Sequence, residues 1–300
     1  MHHPAPNPFV YAWLAVAVAS VSGAAIFIRL ANDAEPLAIA AYRMLIGAAL
    51  VAIPTLLRSR PELFGVGRAD LILLTLSGLF LAGHFASWIT SLTLTSVASS
   101  TLLVTMTPVF IAIVSHFWLG DRVCPATILA IAISLAGAAF LAFGEWDGAN
   151  RRLAGDALAL AGAVMVGTHM LIGRRVRARG MGNLPYSTIV YAIAALALFI
   201  AVLLADVRML GLSGETYFWI AMAAIFPQAI GHLLLNWCLG HTSATNVSLA
   251  ILAEPVIATF LALLVLSEPP AWTVLPGGAL IMLGVALAIR SDASRQNNLS

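Results

Sequence analysis

Two histidines with aromatic neighbours are the residues of this sequence best suited to binding a small molecule. His84 and Trp88 are four residues apart, and His232 and Asn236 have the same spacing, with Trp237 directly after them. Side chains four residues apart share one face of a helix. Such faces could form cavity walls of imidazole and indole, which suit a zwitterion or an aromatic ring. The alternative is that each histidine only hydrogen-bonds a neighbouring helix.

Glu254 is the acidic residue nearest the centre of an apolar segment. A low dielectric disfavours the charged carboxylate, so Glu254 could bind a substrate ammonium group, take part in proton coupling, or hydrogen-bond a neighbouring helix. Pro108 and Pro255 also fall at segment centres, where proline kinks a helix. Each kink could be a hinge or a fixed packing feature. His169 is expected on the cytoplasmic side, where it could line an inner vestibule.

The sequence lacks the motifs of enzymes. It has no P-loop, no HExxH zinc motif, no GxSxG and no carboxylate cluster for a metal. We therefore expect no enzyme, no metal site and no cofactor. Arg43 lies inside an apolar segment, and we expect it to reach the membrane surface or pair with Asp33 or Glu35. We therefore expect no central Lys or Arg, which argues against strongly anionic substrates.

The amino-acid composition indicates that most of the chain is surrounded by lipid rather than by water. Hydrophobic residues make up 61% of the 300 residues and charged residues only 9%, whereas a soluble domain carries roughly 25% charged residues. Most of the chain must therefore lie in lipid. The net charge is only +2, and the sequence has no lysine. It also has no basic stripe of the kind that binds nucleic acid.

Apolar runs predict the helices that position the candidate residues. A helix needs about 20 apolar residues to cross a ~30 Å hydrocarbon core. The sequence contains ten such runs, at residues 9–30, 36–57, 69–92, 96–119, 124–144, 153–174, 185–205, 214–239, 244–266 and 271–290. We therefore predict an all-α integral membrane protein with ten transmembrane helices. The short links Thr93–Thr95 and Gly240–Ser243 predict two antiparallel hairpins.

The arginine distribution predicts the orientation, because cytoplasmic links are enriched in positive charge. With the N-terminus in the cytoplasm, ten arginines fall on the cytoplasmic side and four on the other. The ten are Arg58, Arg60, Arg68, Arg122, Arg174, Arg175, Arg177, Arg179, Arg290 and Arg295, and the four are Arg29, Arg151, Arg152 and Arg208. Both termini are therefore expected in the cytoplasm.

An internal repeat divides the chain into two five-helix halves. An offset of 147 residues pairs Ser96 with Ser243, Pro108 with Pro255, Asp121 with Glu268 and Gly137 with Gly284, and an offset of 148 pairs His84 with His232. We predict repeats over 8–145 and 150–290, followed by a tail at 291–300. Five helices per repeat place the halves in opposite orientations, as in many secondary transporters, with the site at the repeat interface near the bilayer midplane. The two histidines should then face each other.

The proline-containing segments carry a family resemblance. TPVFIAIVSHFWLGDR (107–122) and EPVIATFLALLVLSE (254–268) each close on an acidic residue and are followed by a glycine-containing apolar helix. With the Tyr42-Arg43 pair of the second helix, they resemble the EamA-domain family of the drug/metabolite transporter superfamily. The second half has Tyr191 where a counterpart of Arg43 would lie. Within the superfamily the chain looks most similar to the YddG-like amino-acid exporters.

The resemblance implies a multi-pass carrier of the bacterial inner membrane that exports small metabolites. We expect amino acids, including neutral and aromatic ones, to be exported by alternating access. The alternative is a multidrug-type exporter of organic cations such as viologens, in which Glu254 binds the cation. A non-transporting scaffold or receptor is the third reading. Expected partners are a small-molecule substrate and membrane lipid but no nucleic acid, and the chain could act as a monomer.

Overall fold

A computed structural model describes residues 8–111, 113, 125–144, 151–239, 247 and 250–299. Within these residues the regular secondary structure is helical. In chain order the helices are α1 (Pro8–Ser22), α2 (Ala24–Leu30), α3 (Pro36–Arg58), α4 (Arg60–Phe64), α5 (Arg68–Leu94), α6 (Val97–Val104), α7 (Pro125–Gly144), α8 (Arg151–Arg177), α9 (Asn183–Leu204), α10 (Gly214–Ala223), the π-helical α11 (Ala224–Gly231), α12 (His232–Leu239), α13 (Glu254–Leu266) and α14 (Val274–Leu299).

Six helical stretches are long and apolar enough to cross a membrane: Phe9–Leu30, Pro36–Arg58, Arg68–Leu94, Arg151–Arg177, Asn183–Leu204 and Gly214–Leu235. Four shorter apolar helices lie at Val97–Ile111, Pro125–Leu141, Glu254–Leu266 and Val274–Leu287. The prediction of an all-α, multi-pass membrane protein is confirmed. The count of ten, the side on which the termini lie and the bounds of the two repeats stay predictions.

Helix boundaries follow local sequence signals. The Ser96 side chain accepts a hydrogen bond from the Ser99 N–H at 3.1 Å, and Ser213 accepts one from Thr216 at 3.1 Å. Serine caps of this kind satisfy a backbone donor that has no partner within the helix. The first hairpin link is as short as predicted, since α5 ends at Leu94 and α6 begins at Val97. The second predicted link, with Ser243 and Asp121, lies outside the described residues.

Both proline-containing segments are interrupted just before the proline. A turn at residues 105–106 separates α6 from a helical stretch over 107–111, and a turn at residues 252–253 precedes α13. Pro108 and Pro255 are each the second residue of the helix that follows, where the missing N–H breaks no helical bond. The sequence predicted kinks within continuous helices, whereas the structure breaks each helix. Whether either break is a hinge stays a prediction.

Each of the main helix pairs joins the first part of the chain to the second. Helix α5 packs along α8, α3 along α9, α7 along α14, and α1 against α11 and α12. Two contacts between helices are especially close: an added Cβ on Gly137 of α7 would meet the Gly277 carbonyl oxygen of α14 at 2.7 Å, and one on Gly78 of α5 would meet Ile193 of α9 at 2.6 Å. Glycine at such points lets membrane helices approach each other.

Ion pairs and hydrogen bonds join loops at the two ends of the helix bundle. At the arginine-rich end, which carries Arg58, Arg68 and residues 174–179, Arg179 pairs with Asp70 at 2.6 Å. At the opposite end Arg208 pairs with Asp33 at 2.6 Å. These contacts connect the α8–α9 region with α5, and the loop before α10 with the loop before α3.

Candidate functional site

Arg43 is the buried charge around which the candidate site is built. Its side chain projects from α3 and is 1% exposed. The guanidinium carbon lies 4.5 Å from the Phe85 ring centroid and 5.7 Å from that of Trp88, within the ~6 Å range of a cation–π interaction. Nε donates to Oε1 of Gln228 at 3.3 Å. Nη1 has no hydrogen-bond partner within the described part of the chain.

This placement corrects the sequence-based expectation for Arg43. The expected partner Asp33 instead binds Arg208, and Arg43 packs inward against α5 and α11 rather than reaching the surface. The statement that no central cation exists is therefore wrong. The argument against anionic substrates, which depended on it, no longer holds.

His84 and Trp88 lie on one face of α5, as their spacing predicted, and we call this face the aromatic wall of the candidate site. That the wall lines a substrate cavity stays a prediction. Their rings stack in parallel, with centroids 6.0 Å apart and an interplanar angle of 4°. Nδ1 of His84 donates to the Gly162 carbonyl oxygen at 2.9 Å, which ties α5 to α8. The Trp88 indole N–H is buried and has no hydrogen-bond partner among the described residues. The wall therefore carries one fixed imidazole and one free donor.

Gln228 enters the site through a π-helical turn that the sequence analysis did not predict. Helix α11 contains Pro227, which cannot donate to the preceding turn. The π-helix accommodates that loss over eight residues, and π-helical segments inside α-helices are frequent at functional sites. Gln228 is 1% exposed and packs against Gly47 of α3, where an added Cβ would lie 2.8 Å from Gln228 Cγ. A proline at the centre of a predicted membrane helix was the signal available.

His232, Glu254 and Tyr191 complete the surroundings of Arg43. Each lies within electrostatic range of the guanidinium, and His232 is also within range of His84. The histidines related by the repeat therefore lie in one region, and their facing each other across a cavity stays a prediction. We call the set that converges here the central cluster: Arg43, His84, Trp88, Gln228, His232 and Glu254.

The other predicted site residues lie away from the central cluster or are only partly described. Trp237 is 40% exposed on α12. Asn236 belongs to the same helix. His169 lies toward the arginine-rich end, where its Nδ1 is 2.8 Å from Ser77 Oγ, which in turn contacts the Tyr186 hydroxyl at 2.7 Å.

The His169 network is a second polar layer between α5 and α8. Ser77 and His84 are seven residues apart on α5, so the two layers are about 10 Å apart along the helix. His169 forms hydrogen bonds here, and its expected role in lining an inner vestibule stays a prediction. Within the described residues, no group of three or more His, Cys, Asp or Glu is placed to hold a metal ion.

The fold and the central cluster define a multi-pass membrane protein with a buried polar cluster. The sequence model of the EamA-like transporter family matches residues 8–143 and 153–290. The chain therefore belongs to the EamA-like transporter family, as its proline-containing segments indicated.

Three relatives show what this chain is similar to. An uncharacterized transporter of Clostridium kluyveri is 25% identical over 207 residues, covering 67% of this chain and 66% of the relative. A protein of Streptantibioticus cattleyicolor described as a probable terminal-alkyne amino-acid exporter is 27% identical over 210 residues, 67% of each chain. An uncharacterized transporter of Archaeoglobus fulgidus is 22% identical over 266 residues, 85% of this chain and 89% of the relative.

One solved crystal structure is similar to nearly the whole chain. It covers 94% of this chain and 96% of its own, with a TM-score of 0.65 and 23% sequence identity. This likeness shows the fold alone. This chain spans about two thirds of the length of the Clostridium and Streptantibioticus relatives.

Proposed function

We propose that this protein is a secondary carrier that exports small metabolites, among them neutral and aromatic amino acids. The observation that carries the proposal is the central cluster, which combines a buried cation, an acid and aromatic surfaces. Arg43 and Glu254 are complementary to the two charges of a zwitterion, and Trp88 and Phe85 offer ring faces for its side chain. A transporter family and a relative described as a probable amino-acid exporter support this reading.

Transport is proposed to proceed by alternating access between two inverted halves. The pattern of helix packing supports this, because α5 packs on α8 while α1 packs on α11 and α12. In each pairing, the first helix of one predicted repeat packs against the third helix of the other repeat. The two pairings are therefore related by the predicted repeat. The central cluster draws Arg43, His84 and Trp88 from the first half and Gln228, His232 and Glu254 from the second. Relative motion of the halves would therefore open the site.

The proposed location is the bacterial inner membrane, with both termini in the cytoplasm. The arginine distribution supports this orientation. The carrier would then take substrate from the side of Arg58, Arg68 and Arg174 and release it on the side of Arg29 and Arg208. The proposal needs no ATP, because substrate or proton gradients can drive such carriers.

Uptake into proteoliposomes tests the proposed function. Purified protein is reconstituted, and radiolabelled leucine, phenylalanine, threonine and arginine are offered with and without a pH gradient. Saturable uptake of a neutral or aromatic amino acid is the expected result, and stimulation by the pH gradient would indicate proton coupling. Absence of uptake for every amino acid, with protein that is monodisperse and helical, would contradict the assignment.

Export of organic cations is the second candidate function, and Glu254 is the feature that favours it. The same uptake assay therefore includes methyl viologen. The buried charge of Arg43 lies within electrostatic range of Glu254 and repels a cation that approaches it. We expect amino-acid uptake to exceed viologen uptake, and the reverse order would favour the cation exporter.

A further inference from the structure

Two hydrogen-bond donors of the central cluster are buried and unused. Nη1 of Arg43 and Nε1 of Trp88 have no partner among the described residues. The side chains that carry them are 1% and 4% exposed. They are also neighbours, since the guanidinium carbon lies 5.7 Å from the Trp88 ring centroid. A buried donor without an acceptor is unfavourable, so such groups in native proteins call for an explanation.

Among the described side chains, Arg43 has no ion-pair partner either. The ion pairs found between described side chains involve Arg29, Arg179 and Arg208, and none involves Arg43. Glu254 is within electrostatic range of the guanidinium but forms no ion pair with it. A buried cation without a paired anion is costly. The site is therefore short of one negative group that accepts hydrogen bonds.

The surroundings hold the guanidinium so that one edge stays available. The Phe85 ring covers one face at 4.5 Å, and Gln228 accepts the hydrogen bond from Nε. Gln228 is itself held against Gly47, where no Cβ intervenes. These contacts orient the guanidinium group through one of its planar faces and through its Nε edge. Neither contact uses Nη1.

We propose that Arg43 Nη1 and Trp88 Nε1 together bind the carboxylate group of the transported substrate, which makes the α-carboxylate the chemical group that this carrier recognises. This inference rests on the proposed amino-acid transport. One carboxylate supplies two acceptor oxygens, one for each donor, and the negative charge that Arg43 lacks. Both donors are shut off from water in this structure, so the carboxylate enters when the halves move apart.

Matched substrates test the inference without altering the protein. L-phenylalanine and L-leucine are compared with their carboxamides, which keep the side chain and the amino group but lack the carboxylate charge. We expect the wild-type carrier in proteoliposomes to take up each acid with an apparent affinity about tenfold or more above that of its carboxamide. Hydrocinnamate, which keeps the carboxylate and lacks the ammonium group, should compete more weakly than phenylalanine but more strongly than phenylalaninamide.

Two substitutions then assign the recognition to the two donors. Trp88→Phe keeps a ring in the wall and removes only the N–H, and should lower the apparent affinity for the acids about tenfold without changing that for the carboxamides. Arg43→Gln should abolish the preference for acids. The matched controls are Trp272→Phe and Arg68→Gln, at exposed positions, and both should keep the wild-type preference.

The possible failures are distinguishable. A wild-type carrier that takes up no amino acid contradicts the proposed function and, with it, this inference. A carrier that transports amino acids but does not prefer them to their carboxamides overturns the inference alone. So does a folded Trp88→Phe protein that keeps the full wild-type preference, because the indole N–H then does not bind the carboxylate.

Discussion

His84 illustrates how a single membrane histidine can be fixed by its surroundings. Nδ1 donates to the Gly162 carbonyl oxygen, and the ring stacks on Trp88. The carbonyl therefore assigns the proton of a neutral ring to Nδ1 and leaves Nε2 as an acceptor. His232 differs, because its interactions with described groups are electrostatic rather than hydrogen bonds. The two histidines related by the repeat thus have different environments.

This difference predicts different responses to alanine. His84→Ala removes the hydrogen bond to the Gly162 carbonyl, which keeps its place in helix α8, and should lower the free energy of unfolding by about 0.5–1.5 kcal/mol. His232→Ala removes no such bond, so it should lower transport about tenfold with little loss of stability. Thermal unfolding in detergent and proteoliposome uptake measure the two effects. Equal uptake by His232→Ala and wild type would remove His232 from the site.

Asp33 supplies a pH-dependent contact outside the membrane segments. The Ser213 backbone N–H donates to one carboxylate oxygen at 2.8 Å and Arg208 to the other at 2.6 Å, and these bonds lower the pKa of Asp33 below its ordinary value of 3.8. A depressed pKa means that the stabilisation is present above the ordinary value and is lost as the pH falls through the lowered one.

We therefore expect the Ser213 amide to exchange faster as the pH is lowered below about 4, relative to its intrinsic rate. Asp33→Asn should show the faster exchange already at neutral pH and no further change on acidification. Amide hydrogen exchange followed by mass spectrometry measures this. Protection that is unchanged by Asp33→Asn would show that the carboxylate does not hold the loop.

Arg43 and Gln228 show where reasoning from the sequence ends. The position of Arg43, seven residues after the start of α3, is compatible with a side chain that reaches either the surface or the interior. Its direction is decided by Phe85 and Gln228, which come from distant parts of the chain. The contact between His84 and Trp88 was predictable, because it depends only on the spacing of the two residues within one helix.

At the scale of helices, sequence periodicity predicted the apolar segments but not their interruptions. The turns at 105–106 and 252–253 lie two or three residues before prolines that the sequence marked clearly. The π-helical turn of α11 likewise surrounds Pro227. A proline shows that a backbone bond is lost. Whether the helix then kinks, breaks or widens depends on its neighbours, which the sequence does not specify locally.

The contact between α7 and α14 yields a prediction about packing. An added Cβ on Gly284 would collide with Ser134 Oγ and lie 2.6 Å from the Ala130 carbonyl oxygen, so the obstruction includes backbone that cannot rotate away. Gly284→Ala should therefore lower the free energy of unfolding by about 1–3 kcal/mol. Gly137→Ala, at the position related by the repeat, should behave alike.

Gly67→Ala is the matched control, since nothing lies within 4 Å of an added Cβ there and its φ of −72° suits alanine. Thermal unfolding in the same detergent compares the three variants. If Gly284→Ala is as stable as Gly67→Ala, the two helices are not packed as closely as the structure shows.

At the scale of the whole molecule, one polar network joins the two halves at the end opposite the arginine-rich one. Arg29 of α2 pairs with Glu268, which follows α13, and also donates to the Leu92 carbonyl at 2.8 Å. The other carboxylate oxygen of Glu268 accepts from the Val97 backbone N–H at 2.7 Å. The network therefore links α2, α5 and α6 with the segment after α13.

Alternating access predicts that weakening this network favours opening at this end. Glu268→Gln removes the charge and should raise the labelling rate of a Ser96→Cys reporter by a membrane-impermeant maleimide about two- to fivefold, because partly exposed ion pairs contribute about 0.2–1 kcal/mol. The reporter is placed in a Cys124→Ser, Cys238→Ser background.

Asp70→Asn, which breaks the Arg179 pair at the other end, should lower the labelling instead. The charge exchange Arg29→Glu with Glu268→Arg should restore part of the wild-type rate. If the labelling rate changes in opposite directions in Glu268→Gln and Asp70→Asn, both ends share one conformational equilibrium. If the rate rises equally in both variants, each substitution only loosens its own end. That result would contradict alternating access between these states.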